Sequence, residues 1–311
     1  MPVRPIVKWA GGKTQVLDQI RARYPEGLGV RLTKYAEPFV GSGAVLFDVL
    51  SRHTFSEVYI SDVNRALINC YTLVRDRVGD VIEGLEYWDR EFLASPTVLR
   101  RELYENARDR FNHLMKTKGE GPEMASLFIF INHTCFNGLY RVNSNGVYNV
   151  PIGRHKTPNI LDERNLRGAS RILAGMKIFC GDYSLAGDFC GPDTFVYIDP
   201  PYRPLSQTSS FTSYATDVFG DNQQQTLADF VDFLVGKGAY VLVSNSDPKN
   251  TNPRDNFFDS LYSKYDIHRI SAVRLINSRT AARGPITELL IVCRNAESES
   301  PLRLSGWDDC R

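Results

Sequence analysis

No stretch of this 311-residue chain approaches the ~20 consecutive apolar residues that a membrane-spanning helix requires. The first dozen residues lack the basic start, apolar middle and small-residue cleavage site of a secretory signal. Cysteine is sparse and scattered. Cys70, Cys135, Cys180, Cys190, Cys293 and Cys310 include no Cys-x-x-Cys pair, and the close pair His133 and Cys135 has no second ligand pair to accompany it. Neither a metal site nor a disulfide framework is expected, and reduced thiols in a cytoplasm follow. Repeats and low-complexity segments are absent, and so is a strong net charge: the total is +1. Bulk electrostatics therefore points to no partner. What remains, 42% hydrophobic and 23% charged residues, is ordinary for a globular enzyme long enough for one large or two smaller domains.

Charge is locally uneven. Residues 124–161 contain no acid, while Arg141, Arg154 and Lys156 are present. The wider stretch 98–175 carries 12 Lys/Arg against 7 Asp/Glu. A basic module on a neutral chain suits contact with phosphates, although a solvated helical face with a chance gap in acids would look the same.

Residues 34–39 read as a strand, followed by a glycine turn and an apolar helix over 44–50; residues 57–61 read as a second strand ending at Asp62. Two strand–turn–helix units in succession imply a parallel α/β sheet. Helical patterns follow over 64–78, 97–115 and 124–131. Residues 137–154 read as a β-hairpin around Ser144-Asn145-Gly146. Strands resume at 177–180, 195–198 and 239–244, and 267–275 with 286–293 close the pattern as a final hairpin. The polar end, 295–311, is expected to be loosely held.

Glu37-Pro38-Phe39-Val40-Gly41-Ser42-Gly43 follows a strand and opens a helix, as nucleotide-binding turns do. The full dinucleotide fingerprint needs a third Gly or Ala where Leu46 stands, which argues against NAD or FAD. Asp62 ends the next strand, where a carboxylate accepts hydrogen bonds from ribose hydroxyls. A nucleoside ligand without a pyrophosphate fits, and S-adenosylmethionine is one. Gly11-Gly12-Lys13-Thr14 looks like the end of a phosphate-binding loop, but Val7 replaces the required first glycine.

The decisive motif is Asp199-Pro200-Pro201-Tyr202, directly after the apolar run Phe195-Val196-Tyr197-Ile198. Two prolines cannot continue a sheet ladder, so the chain turns out at the strand's carboxyl edge. The lone pair of an adenine N6 amine is delocalised into the ring. Acceptors in the base plane, the Asp199 carboxylate and the Pro200 carbonyl, would orient that amine and favour the charge that develops as it attacks a sulfonium methyl. Tyr202 can stack on a base. A surface turn with a capping Asp is the plainer alternative.

With these motifs in place, the sequence resembles the D12-class (α-group) DNA adenine methyltransferases, the Dam type, and especially the modification methylases of GATC restriction systems. The matches, in the family's order, are Lys8-Trp9-Ala10-Gly11-Gly12-Lys13, the Glu37–Gly43 turn, Asp62-Val63-Asn64, Asn137-Gly138-Leu139-Tyr140-Arg141, Asn149-Val150-Pro151, Gly153-Arg154, Gly181-Asp182-Tyr183 and Asp199-Pro200-Pro201-Tyr202. The resemblance implies a class I S-adenosylmethionine-dependent methyltransferase fold. Its Rossmann-like sheet would end in a β-hairpin and form a catalytic domain from residues 1–75 and 172–311. A helical and hairpin target-recognition domain, 76–171, would be inserted. Trp9, Lys13, Asp62 and Asp199 stand where the family contacts S-adenosylmethionine. Glu37, Phe39, Gly41, Asp182 and Tyr183 complete the pocket, and Ala10, Gly11, Gly12, Gly43 and Asn64 belong to the same motifs. Leu139, Arg141 and Pro151 stand where the family reads its target. Lys8 stands where it meets the first base pair or its phosphates, and Asn137, Asn149, Arg154 and His155 flank them. Relatives often carry Tyr where this chain has His155.

The implied partner is double-stranded DNA, with S-adenosylhomocysteine as product and no metal. The protein is expected to be a cytoplasmic monomer, and its activity can be paired with a restriction endonuclease of the same specificity. An RNA or protein methyltransferase would share the cofactor pocket, but the hairpin in an acid-free stretch favours DNA. An N4-cytosine enzyme usually has Ser in place of Asp199. A DNA-binding protein without catalysis would need neither the Asp-Pro-Pro-Tyr turn nor the pocket.

Overall fold

The computed structural model describes residues 2–203, 219–273 and 285–295. Seven strands form its sheet: β1 (Lys34–Glu37), β2 (Glu57–Asp62), β3 (Lys177–Cys180), β4 (Thr194–Ile198), β5 (Tyr240–Ser246), β6 (Asp266–Val273) and β7 (Pro285–Cys293). Their order is β3-β2-β1-β4-β5-β7-β6. All neighbours are parallel except that β7 runs antiparallel between β5 and β6. This is the strand order of a class I methyltransferase. Every residue of β4 is buried, as a central parallel strand covered on both faces demands. The order reverses between β1 and β4, so their carboxyl ends open the crevice in which such sheets bind ligands.

Nine α-helices are described: α1 (Leu17–Arg21), α2 (Ala44–Leu50), α3 (Arg65–Asp76), α4 (Val78–Ala94), α5 (Thr97–Lys116), α6 (Pro122–Thr134), α7 (Glu163–Leu173), α8 (Asp221–Gly236) and α9 (Phe257–Leu261). One apolar cluster runs from β1 and β2 through α2 and α3 into α6; a second lies between the sheet and α8 and α9. Helix α6 is apolar on nearly every side because α3, α4 and α5 all pack on it. Its Phe128 and Phe130 are fully buried, each contributing ~1.5–3 kcal/mol.

Several elements differ from the expectation. The helix read over 64–78 ends at Asp76, and Arg77, at φ −140°, breaks the chain before a separate α4. Glycines at 79 and 84 hide that helix in the sequence; Gly84 is needed because a Cβ there would lie 2.6 Å from Ser126 Oγ on α6. Helices α1, α7, α8 and α9 have no counterpart among the expected elements. The hairpin read over 137–154 does turn at Asn143–Val147 and return antiparallel, but its pairing is two isolated bridges, Val142 with Tyr148 and Cys135 with Ile152. Side chains of α5 take backbone groups that a ladder would use. Asn112 grips Tyr148, accepting from its N–H at 2.8 Å and donating to its carbonyl at 3.0 Å, and the Tyr104 hydroxyl donates to the Val150 carbonyl at 2.8 Å. Residues 274–275 of the final hairpin and 296–311 of the tail lie outside the described residues. Among the described residues no helix is long and apolar enough to cross a membrane.

Candidate active site and nucleic-acid interface

Asp199 leaves the carboxyl end of β4 into the crevice. Its Oδ2 is 2.8 Å from the ammonium of Lys13, whose side chain is 4% exposed. Its Oδ1 is buried and has no hydrogen-bond partner among the described residues. Burial pushes the carboxyl above its ordinary range, against the Lys13 charge that holds it down. Lys13 also donates to the Gly11 carbonyl at 2.6 Å and stands 4.8 Å from the Tyr202 ring centre. The Tyr202 hydroxyl donates to Glu288 Oε2 on β7 at 2.9 Å. Carboxylate, ammonium and aromatic face thus converge at one spot, although their sequence positions span nearly 200 residues.

The glycine turn stands beside it. Gly41 and Gly43 have φ of 46° and 71°, which glycine adopts without strain. A Cβ on Gly41 would come within 2.9 Å of the Trp9 ring, and one on Gly43 within 2.6 Å of the Tyr71 hydroxyl. Asp62 stabilises this turn, accepting from the Gly41 N–H at 3.2 Å and from the Asn64 N–H at 2.9 Å; burial raises its pKa. Phe39 stacks on Tyr183 with ring centres 5.2 Å apart, a flat apolar wall at the crevice. Glu37 is 2% exposed and accepts from the Tyr35 hydroxyl at 2.5 Å. Burial pushes its pKa up to about 8, and the Asp199 charge adds to the rise.

Two predicted pocket residues do local work. The Asn64 side chain caps α3 by accepting from the Leu67 N–H. The exposed Asp182 likewise caps the short turn after β3, accepting from the Ser184 N–H. A cavity of about 460 Å³ opens between the segments 4–15 and 159–166, lined by Lys8, Trp9, Gly12 and Ser42 among others. Asp62, Asp182 and Asp199 lie outside its lining. Ala10, Gly11 and Gly12 form an exposed turn closed by the Gly12 N–H on the Trp9 carbonyl.

The predicted reading segment is coupled to this site. Trp9 stacks on Tyr140 with ring centres 5.6 Å apart. Lys8 is exposed and runs against Gly138, where any Cβ would overlap its side chain. Asn137 sits in the left-handed region at φ 55° and, like Pro151, Arg154 and His155, is exposed; Leu139 is half-buried. Arg141 Nε donates to the Asn149 side chain at 2.8 Å, so Asn149 braces the arginine. Sequence reasoning missed Asn132. This buried residue of α6 accepts from the Lys8 N–H and donates to the carbonyls of Lys8 and Gly138, tying the two segments together. An asparagine directly after the apolar run Leu127–Ile131 was the available signal. His133 and Cys135 direct their ring nitrogens and thiol at backbone carbonyls.

Comparison with known proteins agrees with this geometry. The D12 class N6 adenine-specific DNA methyltransferase family matches residues 9–276. The Type II methyltransferase M.MjaIII of Methanocaldococcus jannaschii is 45% identical, over 94% of this chain and 99% of its own. The Type II methyltransferase M1.LlaDCHI of Lactococcus lactis subsp. cremoris is 36% identical, over 93% and 95%. The DNA adenine methylase of Escherichia coli K12 is 33% identical, over 92% and 94%. An Asp-Pro-Pro-Tyr turn at the switch point of a methyltransferase sheet, with such relatives along nearly its whole length, makes this chain a member of the D12 class N6 adenine-specific DNA methyltransferase family.

Proposed function

We propose that this protein methylates adenine N6 at GATC in double-stranded DNA by flipping the target base into the crevice at Asp199. The observation that carries the catalytic assignment is the buried Asp199 Oδ1, without a partner among the described residues, directly beyond β4. A buried acceptor left unpaired costs ~1–3 kcal/mol, and a substrate N–H would recover it. Gly41, Gly43, Asp62, the Phe39–Tyr183 stack and Trp9 offer a close-approach turn, a carboxylate and an apolar wall, which suit an adenosyl group. Lys13 and Asp199 offer partners for an amino-acid end. S-adenosylmethionine bound there supplies an electrophilic methyl group.

In a duplex the N6 amine lies within the base stack, so the target base must leave it. Tyr202 then takes its face. Asp199 and the Pro200 carbonyl accept its two N–H bonds, aim its lone pair at the methyl carbon and favour the positive charge that grows on nitrogen. A proton on that nitrogen is released as the product forms. Residues 76–171 act as the recognition unit, with Arg141 on a guanine edge and Lys8 at the first base pair or its phosphates. The GATC assignment rests on the motif match over residues 137–154. We also propose that the protein acts as a cytoplasmic monomer and can be paired with a restriction endonuclease of the same specificity.

Sequencing of methylated bases in DNA from a methylation-free host that expresses the chain tests this proposal. N6-methyladenine confined to GATC is expected. Methylation of another motif would overturn the target, and N4-methylcytosine alone would overturn the chemistry.

A further inference from the structure

Two consecutive prolines leave the catalytic turn without backbone donors of its own at positions 200 and 201, so its shape must be held from outside. The Pro201 carbonyl accepts from Gln224 Nε2 at 3.1 Å. Gln224 stands in the first turn of α8 and is wholly buried, in a helix that otherwise buries mainly apolar side chains. A carbonyl can only accept, which fixes the amide's orientation and turns its Oε1 away from the turn. That oxygen accepts from Asn245 Nδ2 at 3.0 Å. Asn245, at the carboxyl end of β5, is itself wholly buried, and its oxygen accepts from the Ser246 N–H at 2.9 Å. A relay of hydrogen bonds through two wholly buried amides thus runs from β5 through α8 to the turn. Next along the chain, Glu288 holds the Tyr202 hydroxyl from β7.

We propose that Gln224, oriented by Asn245, is a positioning residue for methyl transfer, holding the Pro201 carbonyl so that Asp199 and Pro200 keep their acceptors in the plane of the target base. Neither amide reaches a reacting atom; both act through the turn. The inference rests on the catalytic assignment of that turn, and the test separates the two.

Gln224→Met keeps the length and removes both the donor and the acceptor. Single-turnover methyl transfer is expected to fall by ~10²-fold, the cost of misplacing a reacting group by about an ångström. Cofactor and DNA dissociation constants should stay within about a factor of three, because only the transition state loses an interaction. Asn245→Ala frees the Gln224 amide without removing it and should give a smaller loss of the same kind. Combined with Gln224→Met it should add little, since both act along one relay. It also serves should Gln224→Met fail to fold. A folded Gln224→Met, or failing that Asn245→Ala, with wild-type transfer would overturn the proposal, as would a loss carried by the dissociation constants. Asp199→Asn is the control. If it transfers methyl normally, the catalytic role of the turn fails; if it is inactive while Gln224→Met is normal, only the positioning role fails.

Discussion

The turn at Asp199 and the segment 135–155 proposed to read DNA are held in opposite ways. The turn leaves a strand buried along its whole length and is gripped by the buried Gln224 of α8 and the half-buried Glu288 of β7. The reading segment has almost no ladder. Its backbone hangs on Asn112, Tyr104 and Asn132, and Asn137, Pro151, Arg154 and His155 face solvent. Chemistry needs a reacting group placed within a fraction of an ångström, which a sheet edge supplies. Reading DNA needs an exposed surface that can follow a groove, and helix side chains supply that without the edge-pairing hazard of a free strand.

The largest effect expected from this contrast is at Asp199. Asp199→Ala should lose ~10²–10³ in turnover with its unfolding transition retained; a variant keeping more than about a tenth of the wild-type rate would remove Asp199 from the chemistry. Tyr202→Ala should come next, because a stacked base is worth ~1–3 kcal/mol. The brightening of 2-aminopurine at the target position on binding should weaken. If wild type shows no brightening and Tyr202→Ala leaves the kinetics unchanged, base flipping onto this ring is excluded.

Arg141→Ala sharpens the other side of the comparison. Its guanidinium fork matches the two acceptors of a guanine edge, so ~1–3 kcal/mol of discrimination should vanish at one base pair. Asn149→Ala, which removes only the brace, should lose less at the same base pair. A uniform loss of affinity with a shallower salt dependence would instead make Arg141 a phosphate contact.

The last effect concerns stability rather than catalysis or reading. Glu37 binds a proton more tightly in the folded protein, with a pKa raised to about 8 by burial, than in the unfolded chain. Its contribution is complete at low pH and is lost as the pH rises through about 8. Wild-type unfolding temperature should therefore decline between about pH 5 and about pH 8 more steeply than that of Glu37→Gln. Parallel profiles would mean that Glu37 is ionised throughout.

The sheet was legible because its central strands are apolar runs closed by Gly, Asp or Pro; the expected 195–198 and 177–180 coincide with β4 and β3 to within a residue. The Asp199 turn was legible for the same reason, since two prolines after a buried strand admit few structures. Lys13 on Asp199, Gln224 on Pro201 and Glu288 on Tyr202 were not, as each joins residues that only the folded sheet brings together. Nor was the α3–α4 break, which no proline or glycine marks at Arg77. The reading segment was legible as a turn, but not as one propped by α5, because Asn112 and Tyr104 look like ordinary helix residues in the sequence.

The division of labour is tested most directly by kcat/KM on GATC and on each singly substituted site, for wild type and for a weakly active Asp199 variant beside Arg141→Ala. The Asp199 variant should fall by the same factor on every site, with specificity ratios intact, while Arg141→Ala should keep most of its transfer rate once bound and lose the ratio at one base pair. Altered ratios in the Asp199 variant, or intact ratios in Arg141→Ala, would contradict the separation of chemistry from reading.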